Sequence, residues 1–191
     1  MKKPVIINGF GGVGKDTFVS IVAGKTRTNT SFNIITESYS SVDIIKQVAK
    51  TFGWDGVSKT EKDRRFLYDL KKLVTDYNDG CLKYMKECYE KRRLCITLPN
   101  NEHISYLIFF HIREPKEIDK AKEALDAICI YVKNDNVPRN EHNLEDKDIE
   151  NYPYDYIVNN SGTLEDLELE ADKFINWIKE NYFKGDNTNE K

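Results

Sequence analysis

Nine residues, Gly9-Phe10-Gly11-Gly12-Val13-Gly14-Lys15-Asp16-Thr17, constrain this chain more than any other stretch. They satisfy the G-x-x-x-x-G-K spacing and lie between the apolar run Pro4-Val5-Ile6-Ile7 and an amphipathic pattern from Thr17 to Ala23. A strand, a phosphate-binding loop and a helix are therefore predicted in direct succession. Glycines let successive backbone N–H groups converge on phosphate oxygens with no Cβ in the way. The helix start adds its positive dipole end. Gly9 to Thr17 are thus the candidate nucleotide-binding residues, and Lys15, a mobile point charge able to follow the β- and γ-phosphates, is the first candidate catalytic residue.

Asp16 stands where most such loops carry a hydroxyl, which here follows at Thr17. A carboxylate beside a polyphosphate is repelled unless a cation lies between them or the side chain turns away to cap the helix. The first option is favoured, so Asp16 and Thr17 are the candidate Mg²⁺ side, acting through water.

At 191 residues the chain has room for one α/β domain with a full core. Charged residues make up 32% and nearly cancel to a net −3, so no overall basic field points to nucleic acid. No apolar run approaches membrane-spanning length, and Met1 leads straight into the first strand. The expectation is a cytoplasmic protein whose partners are small-molecule nucleotides, with a homodimer left open. The cysteines at 81, 88, 95 and 129 form no C-x-x-C pair and read as reduced thiols rather than zinc ligands.

Farther along, the first helix is expected to end near Gly24, a second strand to span Phe32–Glu37, and a helix capped by Ser40-Ser41 to bury Val42, Ile45, Val48, Ala49 and Phe52. Trp54, between Gly53 and Gly56, is a candidate wall for a base or sugar. The next helix, from Thr60, has an apolar face of Phe66, Leu70, Leu73, Val74 and Tyr77, with Arg64, Tyr68 and Lys71 on the other side as a candidate phosphate clamp. A polar helix from Cys81 to about Leu94 follows. The continuous apolar run Ile104–Ile112 fits a central parallel strand. It ends in Arg113, which falls where anions gather in open parallel sheets, outside the carboxyl ends of the strands. His111 reads as a core histidine. A fourth strand, Ile128–Val132, runs into a lid-like span over 133–153 that carries Lys133 and Arg139. A fifth, Tyr154–Val158, leads to a last helix at Leu164–Tyr182, and 184–191 has tail composition.

Five strands alternating with helices make a five-stranded parallel sheet flanked by helices, and the loop after the first makes it a P-loop α/β fold spanning 1–183. Gly14-Lys15-Asp16-Thr17, the Arg64-Arg65-Phe66-Leu67 helix, Ile112-Arg113 and the run Asp155–Leu167 resemble the phage-type deoxynucleoside monophosphate kinases. That resemblance implies transfer of the γ-phosphoryl of ATP, with Mg²⁺, to a nucleoside or deoxynucleoside monophosphate. It further implies that Arg64, Arg65 and Arg113 hold the acceptor phosphate, and that Asn160 and Gly162, within Asn159–Gly162, lie against adenine. Two departures fall on the acceptor side: Lys71-Lys72 stands in place of a Gly-Thr pair, and His111 in place of an acidic residue. A dephospho-coenzyme A or other small-metabolite kinase shares the loop and the Asn-x-Gly-x-Leu-Glu-x-Leu ending. A nucleotide-binding regulator without catalysis is a further alternative, suggested by the missing acidic residue at His111.

Overall fold

The computed structural model describes residues 1–28, 33–91, 104–138 and 149–183. In chain order these form β1 (Lys2–Asn8), α1 (Lys15–Thr28), β2 (Ile34–Ser40), α2 (Asp43–Thr51), α3 (Glu61–Asn78) and α4 (Gly80–Lys91). Then follow β3 (Ser105–His111), α5 (Pro115–Leu125), β4 (Ile128–Lys133), a 3-10 turn at Ile149–Asn151, β5 (Tyr156–Asn159) and α6 (Leu164–Tyr182). The strands form one sheet in the order β2-β3-β1-β4-β5, every pair parallel.

Strand periodicity explains why the sheet is covered on both faces. Val5 and Ile7 of β1, Leu107 and Phe109 of β3, and Ile128, Ile130 and Val132 of β4 join one cluster with Phe18 and Val22 of α1 and Phe174 and Ile178 of α6. The alternate residues Ile6, Ile108, Phe110 and Cys129 point the other way, into a second cluster with Met85 and Cys88 of α4 and Ile118 and Ala121 of α5. A run that is apolar at every position is what a strand buried on both faces requires.

Several expectations shift. α1 runs through Gly24 to Thr28, because Thr26 is buried and its Oγ1 lies 2.9 Å from Thr36 Oγ1 on β2. Anchoring of the last turn outweighs the ~1 kcal/mol helix cost of a glycine. β2 extends to Ser40 because it pairs with β3 over its whole length, Ile34 opposite Ser105 and Ser40 opposite His111. On α3 the inward side is rotated from the expected one: Leu73 and Tyr77 are exposed, and Lys71 is the buried residue. Phe52 is exposed as well. α4, polar in composition, buries Cys81, Met85 and Cys88 at helical spacing. Arg139, with residues 139–148 of the 133–153 span, Cys95 and the 184–191 tail lie outside the described residues. Among the described residues no helix is long and apolar enough to cross a membrane.

Candidate phosphate-binding site

β1 and β3 are neighbours in register, Ile7 opposite His111, so the loop leaving β1 and the segment leaving β3 emerge side by side. Asn8, fully buried, joins them: its Nδ2 donates to Arg113 O at 3.2 Å while its Oδ1 accepts from Gly9 N at 2.6 Å. The loop then turns at two positions that only glycine tolerates. Gly9 has φ +143°, and a Cβ there would meet Val132 O at 2.5 Å. Gly14 has φ +91°, and its Cβ would collide with Asn160 Nδ2. Between them Val13 is buried in the core and Phe10 packs against it, so these two anchor the loop by their side chains and leave the backbone to the ligand. α1 begins at once, Phe18 N donating to Gly14 O at 2.9 Å. Lys15 folds back over the loop, its Nζ donating to Gly9 O at 2.5 Å and Phe10 O at 2.7 Å.

The loop forms one side of a cleft of about 820 Å³. The other sides come from the carboxyl end of β2 and its turn into α2 (Ser38 to Asp43), from Lys46 on α2, from Lys59 and Lys71 around α3, and from His111 to Arg113 at the end of β3. Five cations, Lys15, Lys46, Lys59, Lys71 and Arg113, line the cleft with two carboxylates, Asp16 and Asp43, and still outnumber the acids when Glu114 and Glu117, the partners of Lys71, are included. Lys71 is fixed by Glu114 Oε1 at 2.6 Å and Glu117 Oε1 at 3.2 Å, which ties α3 to the first turn of α5. His111 links the two sides of the cleft: its Nε2 lies 3.0 Å from Ser38 Oγ and its Nδ1 3.6 Å from Asp16 Oδ1. Burial lowers its pKa, against the opposing pull of Asp16 and with a smaller contribution from Lys15 in the same direction as burial.

Asp16 and Thr17 both line the cleft at the start of α1, and the Asp16 carboxylate is open to it. Among the described residues no group of three or more His, Cys, Asp and Glu could hold a metal ion by itself. Two hard oxygen donors still fit Mg²⁺, which takes one or two protein ligands and completes its shell with phosphate oxygens and water.

The remaining sequence-predicted residues divide sharply. Arg113 lines the cleft. Arg64, Arg65, Tyr68 and Trp54 do not: Arg64 Nε donates to Lys59 O at 3.0 Å, Arg65 lies exposed beside Asp69 at 3.8 Å, Tyr68 is exposed, and Trp54 Nε1 is satisfied by Ser58 O at 3.0 Å. Arg64 thus supports the segment from which Lys59 enters. Lys133 pairs with Asp135 at 3.0 Å. Gly162 lies at the start of α6, where a Cβ would collide with the Asp166 carboxylate. Ser38 to Ser41, Lys46, Lys59 and His111 line the cleft as well, although no motif in the sequence marks them as site residues. The strand-end rule that singled out Arg113 after β3 applies equally to Ser40 and Ser41, at and just beyond the end of β2, once the strand is seen to run past Glu37.

Sheet order, loop and cleft define a P-loop α/β fold with an electropositive site at the carboxyl edge of the sheet. No family model matches the chain, and no curated protein matches it. Solved structures similar to it include a gluconokinase from Sinorhizobium meliloti 1021, at 13% identity over 96% of this chain and 97% of that one, with a TM-score of 0.48. A thymidylate kinase from Ehrlichia chaffeensis is 11% identical over 91% and 98%, with a TM-score of 0.47. A shikimate kinase from Bacteroides thetaiotaomicron is 11% identical over 93% and 98%, with a TM-score of 0.41. The fold is defined by the sheet and the loop independently of these distant likenesses.

Proposed function

We propose that the chain is a kinase that transfers the γ-phosphoryl group of ATP to a nucleoside or deoxynucleoside monophosphate, giving the diphosphate. The observation that carries this reading is a second group of cations, Arg113, Lys46, Lys59 and Lys71, in the same cleft as the phosphate loop. One polyphosphate needs the loop and Lys15; further cations across the cleft suit a second anionic substrate. The Gly9–Gly14 amides bind the donor phosphates, and Lys15 stays with the charge as it moves from the γ-phosphoryl to the leaving oxygen. Arg113 holds the acceptor phosphate in line and counts as the second catalytic residue. Phosphoryl transfer through a loose transition state asks for positioning and charge neutralisation, which this inventory supplies without a covalent nucleophile. Asp16 and Thr17 would hold Mg²⁺, whose chemistry when bound is to neutralise the β- and γ-oxygens.

The test is a panel of acceptors with ATP and Mg²⁺, read as ADP release. Turnover with nucleoside monophosphates is expected, and comparison of ribo- and deoxyribonucleotides identifies the sugar. Turnover only with dephospho-coenzyme A or another small metabolite would move the assignment to a metabolite kinase. ATP binding with no ADP from any acceptor would leave a regulator.

A further inference from the structure

We propose that Asn160 is a positioning residue of the phosphate loop, bracing Val13 and Gly14 in their binding conformation, and does not read the adenine base. This rests on the reading of Gly9–Thr17 as a phosphate loop. Asn160 Nδ2 donates to Val13 O at 2.8 Å, across 147 residues of sequence. The peptide between Val13 and Gly14 is trans, so fixing the Val13 carbonyl towards Asn160 fixes the Gly14 N–H in the opposite direction. Gly14 itself lines the cleft. One side-chain hydrogen bond therefore sets the orientation of an amide that the loop offers to phosphate.

The fit is mutual. The carboxamide occupies the space that a Cβ on residue 14 would take, so Gly14 lacks a side chain where Asn160 supplies one. Asn160 is in turn held from behind. Its N–H donates to Lys133 O at 2.7 Å, one step beyond the last rung between β4 and β5, where Lys133 stands opposite Asn159. The next residue is clasped by the β4 loop: Asn136 Nδ2 donates to Ser161 O at 2.7 Å, and Asp135 N to Ser161 Oγ at 3.0 Å. The sheet end thus fixes the turn, and the turn fixes the loop. The amide that a base reader would present to a ligand is directed at the loop backbone instead.

Titration calorimetry with tripolyphosphate, ATP and GTP tests this on the wild type and Asn160→Ala. A brace acts on phosphate binding whatever is attached to it, so all three are expected to weaken by the same factor, on the order of tenfold. The ATP to GTP preference should not change. Hydrogen exchange in the ligand-free variant should quicken at the amides of residues 10–14 while α6 is unaffected. Weaker ATP binding with tripolyphosphate untouched would make Asn160 a base reader and overturn the proposal. A wild type that binds ATP but no tripolyphosphate, or neither, would remove the loop reading and the brace with it. Should Asn160→Ala fail to fold, Asn160→Leu, of similar size and without the donor, carries the same expectations.

Discussion

At the scale of the residue, function rests on a few charges whose surroundings differ. Lys15 Nζ donates to two backbone carbonyls of its own loop, Gly9 O and Phe10 O. Lys15→Ala is expected to lower turnover by about two orders of magnitude or more with circular dichroism unchanged; near-normal turnover in the folded variant would sink the kinase assignment. Lys71 is different, because it is buried against Glu114 and Glu117. Lys71→Met should cost about 2–4 kcal/mol in denaturant unfolding, the penalty for stranding buried carboxylate. It should also raise the acceptor KM more than that of ATP. Lys71 was legible from its sequence as a cation on a helix. That it points inward was not, since α3 is apolar enough on two adjoining sides for either to face the protein.

Elements were legible where local signals and packing agree. α6 is predicted and found at Leu164–Tyr182: Thr163 caps it, Asp166 completes the capping box, and Leu167, Ala171, Phe174 and Ile178 recur on the inner side. Thr163→Ala removes the side-chain acceptor for Asp166 N and is expected to cost about 1 kcal/mol, roughly 2–4 °C in Tm. On α4 and β4, Cys81, Cys88 and Cys129 are free and buried, and burial raises all three thiols, Cys129 to about 12. These three should resist a disulfide-exchange reagent at pH 8 in the native protein and react fully in denaturant; rapid native labelling of Cys129, located by peptide mass, would contradict its burial. β2 was the least legible element. Its second half, Ser38-Tyr39-Ser40, has cap and turn composition and becomes strand because β3 offers a full ladder beside it.

For the whole molecule, the balance of charges is informative because it is uneven. A uniform net charge of −3 would repel ATP, and added salt would then strengthen binding; the cation-rich cleft gives the opposite sign. ATP affinity is therefore expected to fall severalfold between about 0.05 M and 0.5 M salt, and a rise would mean that the cleft field does not govern binding.

Three features were already written in the order of residues: the strand–loop–helix at Gly9–Thr17, the alternation of strands and helices, and Arg113 as a cation at a strand end. Each of these follows from local spacing or from the burial of a continuous apolar run, and such signals survive without knowledge of neighbours. Which polar residues share the cleft depends instead on how the strands and helices are arranged in space. Placing β3 between β2 and β1 brings Ser38, His111 and Asp16 together, and packing α3 against α2 and α4 turns Lys71 inward while leaving Arg65 and Tyr68 outside. The same holds for Asn160 and Val13, which meet because β4 and β5 end beside the loop. Contacts between residues so far apart in sequence have no local pattern, so they become visible only once the sheet order is known.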